Sequence, residues 1–136
     1  MATDSAEVSL SATQLLDLLV NHADAWNRHD LDALMGLFAD DCIFEASGGD
    51  QAWGSRYEGI ESVRAAFAEV LEAMPDAHWG QGRHFVMSPD YGVSQWILTG
   101  TLQDGRRIEV HGCDFLTVRA GKIVRKDSYR KQRPPF

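Results

Sequence analysis

Two residues able to move a proton interrupt apolar stripes that otherwise carry none. Within residues 106–119, strict alternation puts Ile108, Val110, Gly112, Asp114, Leu116 and Val118 on one face. Arg107, Glu109, His111, Cys113, Phe115 and Thr117 share the other. Asp114 is the only charged group on the apolar face. A bare buried carboxylate is very costly, so Asp114 must be paired, protonated or hydrogen-bonded. A neighbouring Lys, Arg or His, or the backbone, would satisfy it. Alternatively it stands at the wall of a ligand pocket, where perturbed acids concentrate. His22 poses the same choice on the helical stripe Leu15, Leu18, Leu19, His22 and Trp26. It is either a satisfied core histidine or a proton-transfer group working near neutral pH. Trp26, Trp79 and Trp96 suit the lining of a small-molecule pocket or plain core packing.

Other chemistries lack their signatures. His78 and His84 lie six positions apart with the same parity, opposite to Trp79 and Phe85. No HxH or HExxH occurs, so no metal site is expected. Cys42 and Cys113 stand 71 positions apart without a CxxC, which supports neither a disulfide framework nor a redox pair. Neither a phosphate-cradling GxGxxG nor a Walker loop is present, nor is a GxSxG elbow. No cofactor is expected.

The elements that must position these residues come in two kinds. Ser11 and Gln14 have capping-box spacing and predict a helix start. Asn27-Arg28-His29 breaks the stripe, and Asp30 can cap a short second helix carrying Leu31, Leu34, Met35 and Phe38. Residues 42–46 read as a strand, and 47–59 as a loop with Trp53 and Tyr57. A third helix runs from Ile60 and ends at Pro75, burying Val63, Phe67, Val70 and Met74. The period then changes from 3.6 to 2, predicting strands at 78–88, 92–103, 106–119 and 122–130. Asp104-Gly105 and Ala120-Gly121 mark hairpin turns. Helices first and a strand meander after is an α+β order.

The chain has 136 residues, 44% hydrophobic and 24% charged, which fits one globular domain. Residues 1–10 are expected to be a flexible tail and 11–133 a single domain. No apolar run spans a membrane and no signal peptide is evident, so a cytoplasmic location is expected. Charge is uneven: residues 1–76 hold 15 acidic and 3 basic side chains, and 77–136 hold 5 acidic and 10 basic. The overall −7 argues against nucleic acid as a partner. The basic run RKDSYRKQR reads as a solvated last strand and tail.

The segments NRHDLDALMGLFADDCIFE (27–45), YEGIESVRAAF (57–67) and GCDFLTVRAGKIV (112–124) resemble the nuclear transport factor 2-like superfamily. The likeness lies in its SnoaL-like polyketide cyclase and ketosteroid isomerase branch, and covers residues 13–130. It implies a cone: a strongly curved, mixed or antiparallel sheet with three helices in the N-terminal half, enclosing an apolar pocket. The sheet's back implies a homodimer. Alignment with ketosteroid isomerase puts His22 and Asp114 at its two oxyanion-hole positions. Its general base falls on Ala46 and a supporting Tyr on Phe67, so that enzyme's base is missing. Likeness to scytalone dehydratase adds His78, at the start of its strand, to a His22–His78–Asp114 acid–base set. That likeness departs at Asn27, where an acid would stand. The cyclases' pocket Asp aligns with Ser128, with Asp127 one position away. A one-residue bulge would decide which of the two points inward.

The implied function is isomerisation, cyclisation or dehydration of a small hydrophobic carbonyl or enol compound. His22, Asp114 and His78 would be catalytic, and Trp26, Trp53, Tyr57, Phe67, Trp79, Trp96 and Ser128 would line the ligand site. The alternatives are a non-catalytic ligand-binding domain of the same fold and a protein–protein interaction module.

Overall fold

A computed structural model describes residues 9–136. The elements run α1 (Ala12–Asn27), α2 (Leu31–Met35), β1 (Phe38–Glu45), β2 (Arg56–Glu58), α3 (Ile60–Ala73), β3 (His78–Ser88), β4 (Tyr91–Thr101), β5 (Arg107–Arg119) and β6 (Lys122–Arg130). The flexible tail expected over residues 1–10 lies outside the described residues except for Ser9 and Leu10. Leu10 packs against the core.

Local chemistry sets the helix ends. Ser11 and Gln14 form the reciprocal capping box, with Gln14 N donating to Ser11 Oγ at 3.1 Å and Ser11 N to Gln14 Oε1 at 2.9 Å. Asp30 Oδ1 accepts from Ala33 N at 3.0 Å and starts α2. That helix ends sooner than the apolar spacing predicts, at Met35. Phe38 instead opens β1, where its backbone pairs with Ile123 of β6. Residues 56–58, expected within a loop, form the edge strand β2 against β1.

The six strands make one curved, unclosed mixed sheet in the order β2-β1-β6-β5-β4-β3. Only β1 and β6 run parallel; the other neighbours are antiparallel. Ala120 and Gly121 both take positive φ, at 51° and 78°, the conformation a tight two-residue hairpin demands. After β6 the chain stays beside β5: Lys131 N donates to His111 O at 2.8 Å and Phe136 N to Arg107 O at 3.0 Å.

Helices α1 and α3 cover the inner face. Leu15, Leu18, Leu19, His22, Ala25 and Trp26 are the buried stripe of α1. Phe67 of α3 meets Trp26, Phe38 and Phe44 edge-on at centroid distances of 4.8, 5.4 and 5.0 Å. Such edge-to-face pairs stabilise the core beyond area burial alone. Val110, Leu116 and Val118 are buried on β5, with Leu98 on β4. Both strands thus follow the parity read from their alternation.

Two register breaks reverse the parity of later residues. In β3 the pairing slips between Gly80 and Arg83, with Gln81 at φ 53°. His78 therefore faces out and His84 in, so these two histidines do not share a face, and Phe85 lies outside while Trp79 turns inward. In β6 the pairing slips opposite Thr117 and Val118, whose partners are Arg125 and Ile123, leaving Val124 unpaired. Ile123 and Lys126 are both buried in consequence, and Ser128 pairs across from Asp114.

Candidate functional site

Between α3, β1 and the inner face of β4–β6 lies a cavity of about 420 Å³. That volume suits a small organic ligand. Its walls are apolar: Phe44, Val70, Met74, Trp79, Trp96, Leu98 and Ile108 are among them. Ala46 and Tyr57 stand toward β1 and β2, with Glu69, Ser47 and Arg130 as further polar members. Its polar centre is Asp114, Lys126 and Ser128.

Asp114 is 4% exposed and every oxygen has a partner. Ser128 Oγ donates to Oδ1 at 2.6 Å, and Trp96 Nε1 donates to Oδ2 at 3.0 Å. Lys126 Nζ lies 3.5 Å from the same Oδ2. Both readings of Asp114 hold together: it lines a pocket, and a neighbouring lysine pairs with it. The comparison with ketosteroid isomerase implied a proton-donating acid here. Three donors, Ser128 Oγ, Trp96 Nε1 and Lys126 Nζ, converge on the Asp114 carboxyl group. Gly112, two residues earlier on the same face, makes room for the Trp96 ring. A Cβ there would sit 2.4 Å from Trp96 Cη2.

Lys126 reaches across from β6 under α1. Its Nζ is 3.3 Å from His22 Nε2, 4.5 Å from the Trp26 ring centroid and 5.4 Å from that of Phe67. Burial pushes its ammonium below the usual lysine range, opposed in part by the Asp114 charge and hydrogen bond. Burial also holds His22 well below the ordinary histidine value, helped by the charges of Lys126 and His84. Trp26 Nε1 donates to His22 Nε2 at 3.2 Å, as residues four apart on one helix face can. Nε2 is therefore an acceptor, and the neutral ring carries its proton on Nδ1.

The large cavity's lining includes Lys126 and Trp26 but not His22. His22 borders a separate void of about 20 Å³, shared with His84 and Ser94. There His84 Nδ1 lies 2.7 Å from Ser94 Oγ.

The other expected site residues divide. Trp26, Tyr57, Trp79, Trp96, Asp114 and Ser128 border the large cavity. Phe67 is fully buried behind it, against Trp26. Against the expectation from the aligned dehydratase, His78 is exposed and borders neither inner cavity, because it alternates with the inward Trp79. Trp53 also departs from its expected place: it is 45% exposed, with the Arg56 guanidinium 4.5 Å over its ring. Lys126 is the residue that sequence reasoning missed. It sat unnoticed in a basic run read as solvated, although it shares parity with Ser128, the aligned pocket position.

The outer face of the sheet carries its own open hollow of about 530 Å³, bordered by Arg83, Gln95, Ile97, His111, Cys113 and Tyr129. No buried ion pair lies among these residues, whereas the inner cavity contains Lys126 and Asp114.

Comparison with known proteins agrees with this architecture. The family model of the SnoaL-like domain matches residues 19–126. A search of curated proteins gave no match. Among solved structures, Mycobacterium tuberculosis Rv0760c, in complex with estradiol-17β-hemisuccinate, is 26% identical with a TM-score of 0.73. That alignment covers 85% of this chain and 92% of the other. An NTF2-like protein of unknown function from Mesorhizobium loti is 23% identical, TM-score 0.74, over 89% and 93% of the two chains. A Pseudomonas putida protein described provisionally as a polyketide cyclase is 15% identical, TM-score 0.73, over 87% and 90%.

Proposed function

The chain belongs to the SnoaL-like domain family, and from that membership we propose an enzyme acting on a small hydrophobic carbonyl or enol compound by acid–base chemistry. The reaction type is isomerisation, cyclisation or dehydration. The observation that carries the proposal is the Lys126–Asp114 pair set in an apolar cavity of about 420 Å³. Enolate chemistry needs a group that accepts a proton and a donor aimed at the developing oxyanion. Asp114 accepts, and Lys126 donates when protonated. Ser128 and Trp96 hold the carboxylate in place, and His22 positions Lys126 from behind. Rv0760c, with its bound estradiol-17β-hemisuccinate, supports a small-molecule ligand.

The test is α-proton exchange of a bound apolar ketone, such as tetralone, in deuterium oxide, followed by NMR. Asp114→Asn keeps the shape and should slow exchange by about 10²–10³-fold, the scale of losing an acid–base group. Wild-type exchange in that variant would remove Asp114 from the chemistry.

A second reading rests on Ala46. It lines the cavity with no titratable group, at the position where the aligned isomerases hold their base. Ketones that bind without any exchange would favour this binding-only function. The same proposal includes a homodimer formed through the outer sheet face.

A further inference from the structure

Lys126 is one of three lysines in the chain. Lys122 and Lys131 are exposed, whereas the Lys126 side chain is 7% exposed. Its stem comes from a strand whose register the β6 bulge fixes, so the amine is delivered to a defined point. At that point two aromatic rings, Trp26 and Phe67, flank Nζ, and the cavity lies on another side. A lysine desolvated among apolar groups favours its uncharged form, and the uncharged amine attacks carbonyl carbon. Asp114 and the two ring faces favour the ammonium, and burial opposes them as the largest influence. Its separation of 3.5 Å from Asp114 Oδ2 exceeds the 2.9 Å or so of a well-formed charged pair. The second neighbour, His22, is neutral and already accepts from Trp26. His84 lies across the small void and adds no negative charge.

We infer that Lys126 is a nucleophile that forms a Schiff base with an apolar aldehyde or ketone held in the inner cavity. This rests on the reading of the cavity as a carbonyl-compound site, and goes further by naming a covalent step. The ammonium passes one proton to Asp114 Oδ2. The freed Nζ lone pair then forms a bond to the carbonyl carbon as the C=O π pair moves to oxygen. One proton moves from nitrogen to that oxygen, giving a neutral carbinolamine. Asp114 returns its proton to the hydroxyl, the C–O bond breaks, and water leaves. The product is a protonated imine with Asp114 again a carboxylate beside it. No oxidant or reductant is consumed. The positive nitrogen then draws electrons from an adjacent C–H bond, which serves enolisation better than the parent ketone would.

The full chain is incubated with naphthaldehyde and cyanoborohydride, which reduces only the imine, and the site is mapped by peptide mass spectrometry. A single adduct on Lys126 is expected. It should form at least about 10-fold faster than on the exposed Lys122 or Lys131, because only Lys126 is held beside the bound aldehyde. Lys126→Arg keeps the positive charge and should lose the adduct; should that variant misfold, the ratio among the three wild-type lysines decides alone. Binding is read separately by tryptophan quenching with naphthylmethanol, which cannot form an imine. Quenching by the alcohol without an adduct on Lys126 overturns the nucleophile and leaves the cavity reading standing. Equal labelling of all three lysines overturns the nucleophile as well. Absence of quenching by either compound overturns both.

Discussion

His22 is buried 3.3 Å from the Lys126 amine, and burial first, then the Lys126 charge, holds its ring neutral. A histidine kept neutral by burial has a folded-state proton affinity below its unfolded one, near 6.5. Below that pH the unfolded chain binds a proton that the folded chain refuses. His22 therefore contributes stability above about 6.5 that is lost as pH falls toward its folded value. The expected slope is about 1.4 kcal/mol per pH unit within that window. His22→Gln keeps an acceptor for Trp26 and does not titrate. Denaturant melts between neutral and mildly acidic pH should show the variant losing less stability than the wild type. Parallel losses would mean that His22 titrates as an ordinary surface histidine. Lys126 shifts in the same direction, so its effect lies at higher pH, below the unfolded value near 10.5.

Among the elements, β5 depends on a residue without a side chain. Gly112 accepts the Trp96 ring, and a Cβ there would also stand 2.5 Å from the Tyr129 carbonyl oxygen. Neither a ring wedged against Asp114 nor a strand carbonyl moves cheaply. Gly112→Ala should therefore cost about 1–3 kcal/mol, as overpacking does. It should also break the hydrogen bond from Trp96 to Asp114, weakening ligand binding in the cavity. Urea melts beside ligand titrations check both, and an alanine variant with wild-type stability would show that the ring has other room. The β3 and β6 bulges act on a longer stretch, since each reverses every side chain that follows it. One turns His84 toward Ser94, and the other turns Lys126 and Ser128 toward Asp114.

For the whole molecule, the uneven charge resolves across the sheet. Acids of the N-terminal half pair with bases of the C-terminal half: Asp41 with Arg119 at 2.7 Å, and buried Glu45 with Arg125 at 2.7 Å. Arg56 completes the Glu45 cluster at 2.6 Å. The basic last strand is thus partly a structural counter-charge. The outer face keeps an apolar stripe of Phe85, Met87, Phe115 and Tyr129, of which Phe85, Met87 and Tyr129 are exposed. Mixed apolar and polar groups of this kind fit a subunit interface. Sedimentation at micromolar concentration should find a dimer, and Phe115→Asp should shift it toward monomer. A wild-type chain that sediments only as monomer would exclude this interface.

The helices, the four long strands and the inward faces of β4 and β5 were legible in the residues alone, because burial on one side writes a period that capping and turn residues punctuate. Asp114 stood out for the same reason: a charge inside an apolar alternation is visible without coordinates. Tertiary structure alone decided the partners of that charge. Parity persists along a strand only while the register holds; Gly80 and Gly82 mark the break in β3, but no residue pattern marks the one in β6. Ile123 points inward, so unbroken alternation would send Arg125 and Asp127 inward after it and leave Lys126 in solvent. The unpaired Val124 instead buries Lys126 and brings Ser128 to Asp114. His22 was legible as a polar break in α1, but its distance from the large cavity depended on Trp26 and Lys126 filling the space between. Contacts between residues 104 positions apart are set by how sheet and helix pack, and no local spacing encodes them.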